Sequence, residues 1–264
     1  MKRSTIITTL LAFTGASALV AADDTAIDQQ VESTQSAHNI PSWWEKELVE
    51  ADVVIDFRGN RIVDGTFTFE AHGPRSRYDR KDGSSIIFDG ETAWVTPADA
   101  EAPKGRFHVL TWPWFIMAPF KMQGEGINLS ELSAAEVNGT EYITLFQTFG
   151  PQMGDTPDDW YRFFINPETQ LVEGMSYIVT YGKSEEQANE QASIIWYDNY
   201  NADGDPAIAH SYEFWLWDTE SKSVEGEAPK GTGTITDVSY PDASDDTFAI
   251  PSDSRELPLP DAKG

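Results

Sequence analysis

The sequence predicts a mainly β (α+β) fold built on a single strongly curved antiparallel sheet, an unclosed barrel of about ten strands covered by short helices. Three observations predict it. Apolar and polar residues alternate with a period of two along much of the chain, as in Val63-Asp64-Gly65-Thr66-Phe67-Thr68-Phe69-Glu70-Ala71, the pattern of strands with one face buried. Asp-Gly, Asn-Gly and Asn-Pro pairs punctuate these segments, and no strand–helix–strand rhythm of a parallel sheet occurs. One stretch, Thr111-Trp112-Pro113-Trp114-Phe115-Ile116-Met117-Ala118-Pro119-Phe120, is the most apolar after the N-terminus. A sheet of this many strands curls or splits rather than staying flat, and curling around that stretch would bury it.

The elements follow in chain order. Lys2 and Arg3 precede an apolar segment that runs from Ile6 to Val20 and exits through Ala21-Ala22 into Asp23-Asp24. This is the layout of a secretory signal peptide over residues 1–22. The segment is shorter than the roughly 20 apolar residues of a spanning helix and is dotted with Thr, Ser and Gly. No cysteine exists to carry a lipid anchor. The expected location is therefore periplasmic or secreted, with no stable membrane insertion after cleavage. Residues 23–40 are polar and read as a disordered linker, residues 41–250 as the curved-sheet domain, and residues 251–264 as an extended tail.

Within the domain, Ser42 with Glu45 forms a capping box for a short helix over 43–49. Strands are expected at 53–57 and 63–71. Residues 84–88 and 91–95 read as a hairpin about a two-residue Asp89-Gly90 turn. Two prolines six residues apart in the apolar stretch argue against a long helix, so only 113–118 is expected to be helical, with Pro113 in the first turn. Further strands are expected at 140–148, 160–166, 172–181, 192–200, 207–217 and 233–240. Asn138-Gly139 and Asn166-Pro167-Glu168-Thr169 make turns. Residues 184–191 read as a turn or helical cap, and 218–231 as a charged hairpin loop.

Composition narrows the function. The formal net charge is −26, and loss of residues 1–22 removes two cations and no acid. Nucleic acid and anionic headgroup surfaces are poor partners for such a chain on electrostatic grounds. Without cysteines the core must hold by packing alone, and nine Trp among 264 residues supply bulky core or cavity material.

Signatures of chemistry are sparse. There is no Gly-x-Ser-x-Gly elbow, no His-Glu-x-x-His, no Cys-based metal site and no Walker A loop. His38, His72, His108 and His210 are scattered without ligand spacing. Asn199 to Gly204 matches the first half of a calcium loop, with Asp198, Asp203 and Asp205 nearby, but His210 stands where the bidentate Glu belongs. Asp155, Asp158 and Asp159 surround Thr156-Pro157, which reads as a solvated, capped turn. Neither a metal, a cofactor nor a catalytic residue is expected, and the protein is not expected to be an enzyme.

The apolar stretch then has two readings, plain core or the wall of an apolar cavity. In the second, Phe67, Phe69, Trp94, Trp112, Trp114, Phe115, Met117, Phe120 and Met122 line it, the methionines adding deformable contacts.

The run from Trp112 to Met122, followed by Gly124-Glu125-Gly126-Ile127-Asn128-Leu129, resembles a motif of a poorly characterised family of exported bacterial proteins. Phe88-Asp89-Gly90-Glu91-Thr92-Ala93-Trp94 and Thr156-Pro157-Asp158-Asp159-Trp160-Tyr161 support the resemblance, which covers roughly residues 50–200. That family is similar in architecture to the LolA/LolB-like lipoprotein carriers. The resemblance implies a curved sheet covered by short helices over an apolar cavity, and implies that fold more strongly than lipoprotein transport. No functional residue of the carriers maps onto this sequence, and the missing anchor Cys departs from the LolB type. The expected function is a carrier or sensor that binds a lipid, acyl chain or other apolar small molecule. The alternative is an envelope protein-interaction module without ligand, and a hydrolase using the acidic loop is a third reading.

Overall fold

A computed structural model describes residues 24–151, 153–201 and 204–259. The expected signal segment lies outside them. The strands are β1 (Leu48–Phe57), β2 (Asn60–Glu70), β3 (Ser76–Arg80), β4 (Ser85–Phe88), β5 (Ala93–Thr96), β6 (Ile127–Val137), β7 (Thr140–Phe149), β8 (Trp160–Ile165), β9 (Val172–Tyr177), β10 (Ser193–Tyr200), β11 (Ala209–Asp218), β12 (Ser223–Glu225), β13 (Gly231–Ser239) and β14 (Arg255–Leu257). Among the described residues they form one 14-stranded sheet in the order β14-β5-β4-β3-β2-β1-β13-β11-β10-β9-β8-β7-β6, with β12 beside β11.

Two meanders, β1–β5 and β6–β11, make the halves of the sheet. Strand β13 stitches them together by pairing antiparallel with β1 (Phe57 opposite Gly231) and with β11 (Phe214 opposite Gly231). The sheet is open, with β14 and β6 as its edges. Two tight turns set register by backbone conformation. Arg58-Gly59 (φ 52° and 77°) and Asn138-Gly139 (φ 53° and 81°) both take the left-handed geometry that a two-residue hairpin needs to match strand twist.

All ten expected strands are present, and four more exist. Strand β3, Ser-Arg-Tyr-Asp-Arg, looks like a loop because only Ser76 and Tyr78 face inward, while Arg77 pairs with Asp79 at 2.7 Å on the other side. Strand β6 is an edge strand with most side chains in solvent and a bulge between Ser130 and Ser133, which breaks the alternation and discourages edge-to-edge pairing. Strand β12 lies inside the expected charged loop, and β14 in the expected tail, where Leu257 returns to pair with Ala93.

Four other expectations are corrected. Residues 24–37 are not a disordered linker but helix α1 (Asp24–Ala37), which buries Ile27, Val31 and Thr34 on one face; one narrow stripe suffices in an otherwise polar helix that packs on a larger body. The helix expected at 43–49 is α2 (Ile40–Trp44), begun by left-handed Asn39 with Pro41 in its first turn, where a missing amide costs nothing. The Asp89-Gly90 turn is a four-residue loop between Phe88 and Ala93. The Asp89 carboxylate accepts from the amides of Glu91 and Thr92 at 2.9 and 2.8 Å and from Trp94 Nε1 at 2.9 Å, which favours the longer turn.

The last concerns the apolar stretch. Helix α3 runs from Gly105 to Met117, with Pro113 inside it, and a single 3-10 turn (Ala118–Phe120) follows. An interior proline strips the carbonyl four residues back of its partner. Here that carbonyl, of Val109, accepts the buried Ser76 hydroxyl at 2.7 Å, so the helix continues through the proline. Helix α4 (Glu185–Asn189) starts at a capping box of Ser184 and Gln187.

Helix α3 sits in the concavity. It packs on β2–β5, and its other side reaches the second meander, Trp112 edge-on to Phe214 and Phe115 edge-on to Tyr177. The main core is continuous across the concave face, from Val53 and Phe67 to Phe163 and Ile195. His38, fully buried, pins the N-terminal helices to it. Its Nε2 accepts from the Val172 amide at 3.0 Å, so Nδ1 carries the proton and donates to the Ala207 carbonyl at 2.9 Å. Burial lowers its pKa to about 4.

Candidate ligand pocket

Helix α3 presents Phe107, Leu110, Thr111 and Trp114 along one face, the spacing of a helical stripe, and Pro113 and Met117 continue it. This face turns toward β7 and β8, which Trp114 meets through Phe149 and Tyr161. Between it and the surrounding loops lies a pocket of about 510 Å³. One flank comes from the end of β2 (Phe69, Glu70) and the 72–76 segment. The other comes from the end of β7 (Phe149), residues 153–156, Tyr161 of β8, and Val179 and Tyr181 beyond β9. Edge-on rings build the wall: Trp114 to Phe149 at 5.7 Å and Phe149 to Tyr161 at 5.2 Å. Phe107 closes against Tyr181 at 5.3 Å.

Polar groups frame this apolar surface. Glu70 accepts from Arg75 Nε and Nη2 at 2.9 and 2.6 Å and from the Arg75 amide at 3.0 Å. Burial works against its charge, but the Arg75 bonds hold the carboxyl below its ordinary range. Lys121, just past the 3-10 turn, donates through Nζ to the Ala71 carbonyl at 3.0 Å, and burial lowers its pKa. His72, also lowered by burial, stacks against Trp44 at 4.8 Å; that indole is 63 % exposed at the rim. At the other end, buried Arg106 grips Asp155 with two bonds of 2.7 and 2.8 Å, tying the β7–β8 loop to the first turn of α3. Asp159 is buried, not solvated as expected of that turn. It accepts from the Thr180 amide and hydroxyl at 2.7 Å each and from Thr156 Oγ1 at 2.8 Å, and burial raises its pKa. Asp158 points to solvent. Trp114 Nε1 is buried without a well-formed hydrogen bond, with the Tyr161 hydroxyl beside it.

Of the nine residues expected to line a cavity, Phe69, Trp114, Phe115 and Met117 stand on the pocket wall. The other five are placed elsewhere. Phe67 stacks on Tyr78 at 4.2 Å, and Phe120 on Trp43 at 4.2 Å. Trp112 and Met122 are buried in the core. Trp94 alternates with inward Ala93 and Val95 and lies on the outer face. Phe149 at the end of β7, Met153 in the loop after it and Tyr161 of β8 were not anticipated. The 107-110-111-114 stripe would have been visible had Pro113 not been taken as a helix start. Of the acids near the expected calcium loop, Asp205 pairs with Lys46 at 3.0 Å, and Asp203 lies outside the described residues. Among the described residues no cluster of His, Cys, Asp or Glu is arranged to hold a metal, and no helix is long and apolar enough to cross a membrane.

No protein-family model matches the chain, and no curated protein matches it. Solved structures do. A DUF1329 family protein from Desulfovibrio piger aligns at 10 % identity and TM-score 0.51, over 84 % of this chain and 97 % of that one. A LolA superfamily protein from Nitrosomonas europaea aligns at 11 % identity and TM-score 0.51, over 83 % and 97 %. A domain described as an outer membrane lipoprotein-sorting protein, from Vibrio parahaemolyticus, aligns at 9 % identity and TM-score 0.50, over 84 % and 96 %. At such identities the likeness is one of architecture. Together with the open, curved sheet around α3, it assigns this chain the LolA-like fold.

Proposed function

We propose that the protein is an exported, periplasmic binding protein, a carrier or sensor that shelters an acyl chain or other apolar guest beside α3. One observation carries the reading: an aromatic- and methionine-walled pocket of about 510 Å³ on the concave face of the sheet. That volume falls in the range of roughly 300–1,000 Å³ common to small-molecule sites, which are mostly apolar with a few placed polar groups. Met117 and Met153 can adapt their shape to a chain. The signal-like residues 2–22 support export. The shared fold of the LolA superfamily and lipoprotein-sorting structures supports a carrier-like role over an enzymatic one, and binding in this pocket needs no metal, cofactor or catalytic group. Native mass spectrometry of protein purified from its own envelope tests this. The expected result is a co-purifying lipid that delipidation removes and added acyl chains restore. Protein that carries nothing, and takes up neither fatty acid, phospholipid nor lipopeptide, would contradict it.

A second reading, an envelope protein-interaction module, is favoured by a different surface. On the convex face Trp196 and Trp215 are half-buried around a groove of about 290 Å³, rimmed by Asn138, Glu213 and Val224. A protein captured from envelope extract by the wild type and lost with Trp215→Ser would support it. Capture unaffected by that change, or by salt if the partner is basic, would count against it.

A further inference from the structure

Resting on the reading that the pocket takes a chain, we propose that its guest is an amphiphile with an anionic head, and that the Lys121 ammonium receives that head. Volume admits the chain. A group the size of a water or a methylene fills roughly 30 Å³. A pocket of about 510 Å³ therefore has room for at least one long chain.

Charge sets the orientation. The two ends of the pocket are framed differently. At one end the Glu70 carboxylate is matched by Arg75 through three hydrogen bonds, so the Lys121 ammonium is left over. It spends one donor on the Ala71 carbonyl, and an ammonium has three. No carboxylate lies within ion-pair distance of it among the described residues. At the other end the pair is Arg106 with Asp155, and the carboxyl left over is Asp159, whose acceptors are taken by Thr156 and Thr180. The pocket is thus positive at Lys121 and acidic at Asp159. A half-buried cation that shares its one nearby carboxylate with an arginine is costly to desolvate, and an anion meeting it forms a charge-assisted hydrogen bond. Glu70 also attracts Lys121 through space, but that carboxylate is already bonded to Arg75, so the three groups together carry one net positive charge, which points to an anionic ligand group as the missing partner. The nearest rival is Lys183, beyond Tyr181 at the acidic end, but its Nζ donates to Gln191 Oε1 at 2.8 Å, and it does not line the pocket.

Calorimetric titration of the whole protein with dodecanoate, 1-dodecanol and dodecyltrimethylammonium, each below its micelle concentration, separates the possibilities. Dodecanoate should bind one to one and about tenfold more tightly than the other two, the weight of one hydrogen bond to a charged group. Lys121→Met should remove that preference, so that dodecanoate binds no more tightly than dodecanol; Lys121→Gln, which keeps a donor for Ala71, serves if the methionine variant does not fold. Lys121→Arg and Lys183→Met should keep the preference. Equal affinity for dodecanoate and dodecanol, a preference that survives loss of the Lys121 charge, or one lost in Lys183→Met would overturn the head-group assignment while the chain-binding reading stands. Binding of none of the three probes would overturn that reading itself.

Discussion

The two faces of the sheet are both rich in tryptophan, yet a thirteen-residue helix, α3, lies over one of them and only the five-residue α4, through Ala188, over the other. On the concave face Trp112 and Trp114 of α3 meet Phe115, Phe149 and Tyr161, and the core there runs the width of the sheet. On the convex face Trp160, Trp196, Trp215 and Trp217 gather with Tyr142 and Phe164 in a smaller cluster. The strands place these residues by strict alternation. In β11, Tyr212 and Phe214 point inward while Trp215 and Trp217 point outward; in β10, Ile195 and Tyr197 point inward and Trp196 outward. The difference teaches that aromatic content alone does not locate a binding site. A sheet face becomes a pocket when a second layer stands over it with room between, and here α3 packs closely on the first meander and meets the second through rings such as Trp112 on Phe214 and Phe115 on Tyr177. On the convex face the Trp196 ring lies directly over Gly174 of β9. A Cβ on Gly174 would come within 2.5 Å of the Trp196 ring.

Truncating each face should sharpen the contrast. Phe163→Ala, at a position fully buried in the main core, should lower unfolding free energy by about 3–5 kcal/mol, read as a shift in urea midpoint. Trp215→Ala on the half-exposed convex cluster should cost about 1 kcal/mol. Similar losses from both would mean that the convex cluster is as much a core as the concave one.

Acid should act on the concave side first, through His38. In the folded protein this imidazole titrates at about 4, against about 6.5 unfolded. Between those values the unfolded chain binds the proton and the folded one does not. Stability is then complete above pH 6.5 and falls as pH drops towards 4, by up to about 3 kcal/mol from this group. His108, on α3 itself and lowered to about 4 by burial, adds in the same direction. Denaturant midpoints measured from pH 7 to pH 4 should show this slope, and His38→Gln should flatten it. A slope unchanged in the variant would remove His38 from the account.

Ser76→Ala probes the proline inside α3. It leaves the Val109 carbonyl without its donor, so a loss of about 1–3 kcal/mol is expected, together with weaker chain binding because the pocket-lining turn of α3 loosens. The smallest effect belongs to the convex face. Gly174→Ala should lift the Trp196 ring, shift tryptophan emission and cost about 1 kcal/mol, with chain binding unchanged. Altered binding in that variant would mean that the two faces are coupled.

The strands were legible wherever one side was buried and the turn chemistry local, as in β2, β7, β10 and β11. Those hidden from the sequence fail one of these conditions. Strand β3 shows only Ser76 and Tyr78 to the core, β6 is an exposed, bulged edge, and β12 and β14 are three residues each. Helix α1 escaped because its apolar stripe is thin. Helix α3 was read too short because the rescue of Pro113 comes from Ser76, 33 positions from Val109 in sequence, and no local pattern reports such a bond. The site was legible in part for the same reason. Its helical wall follows from the apolar stretch. Phe149, Met153 and Tyr161 come from another meander, and only the closure of the sheet through β13 brings them opposite.

The most direct test asks which tryptophans a bound chain touches. A brominated fatty acid, 12-bromododecanoate, quenches indole emission only on near contact. If the chain lies beside α3, quenching should be saturable, and Trp114→Phe should remove most of it while Trp215→Phe leaves it unchanged. Quenching lost in Trp215→Phe and retained in Trp114→Phe, or no quenching at all, would contradict the claim that the concave pocket is where this protein holds its guest.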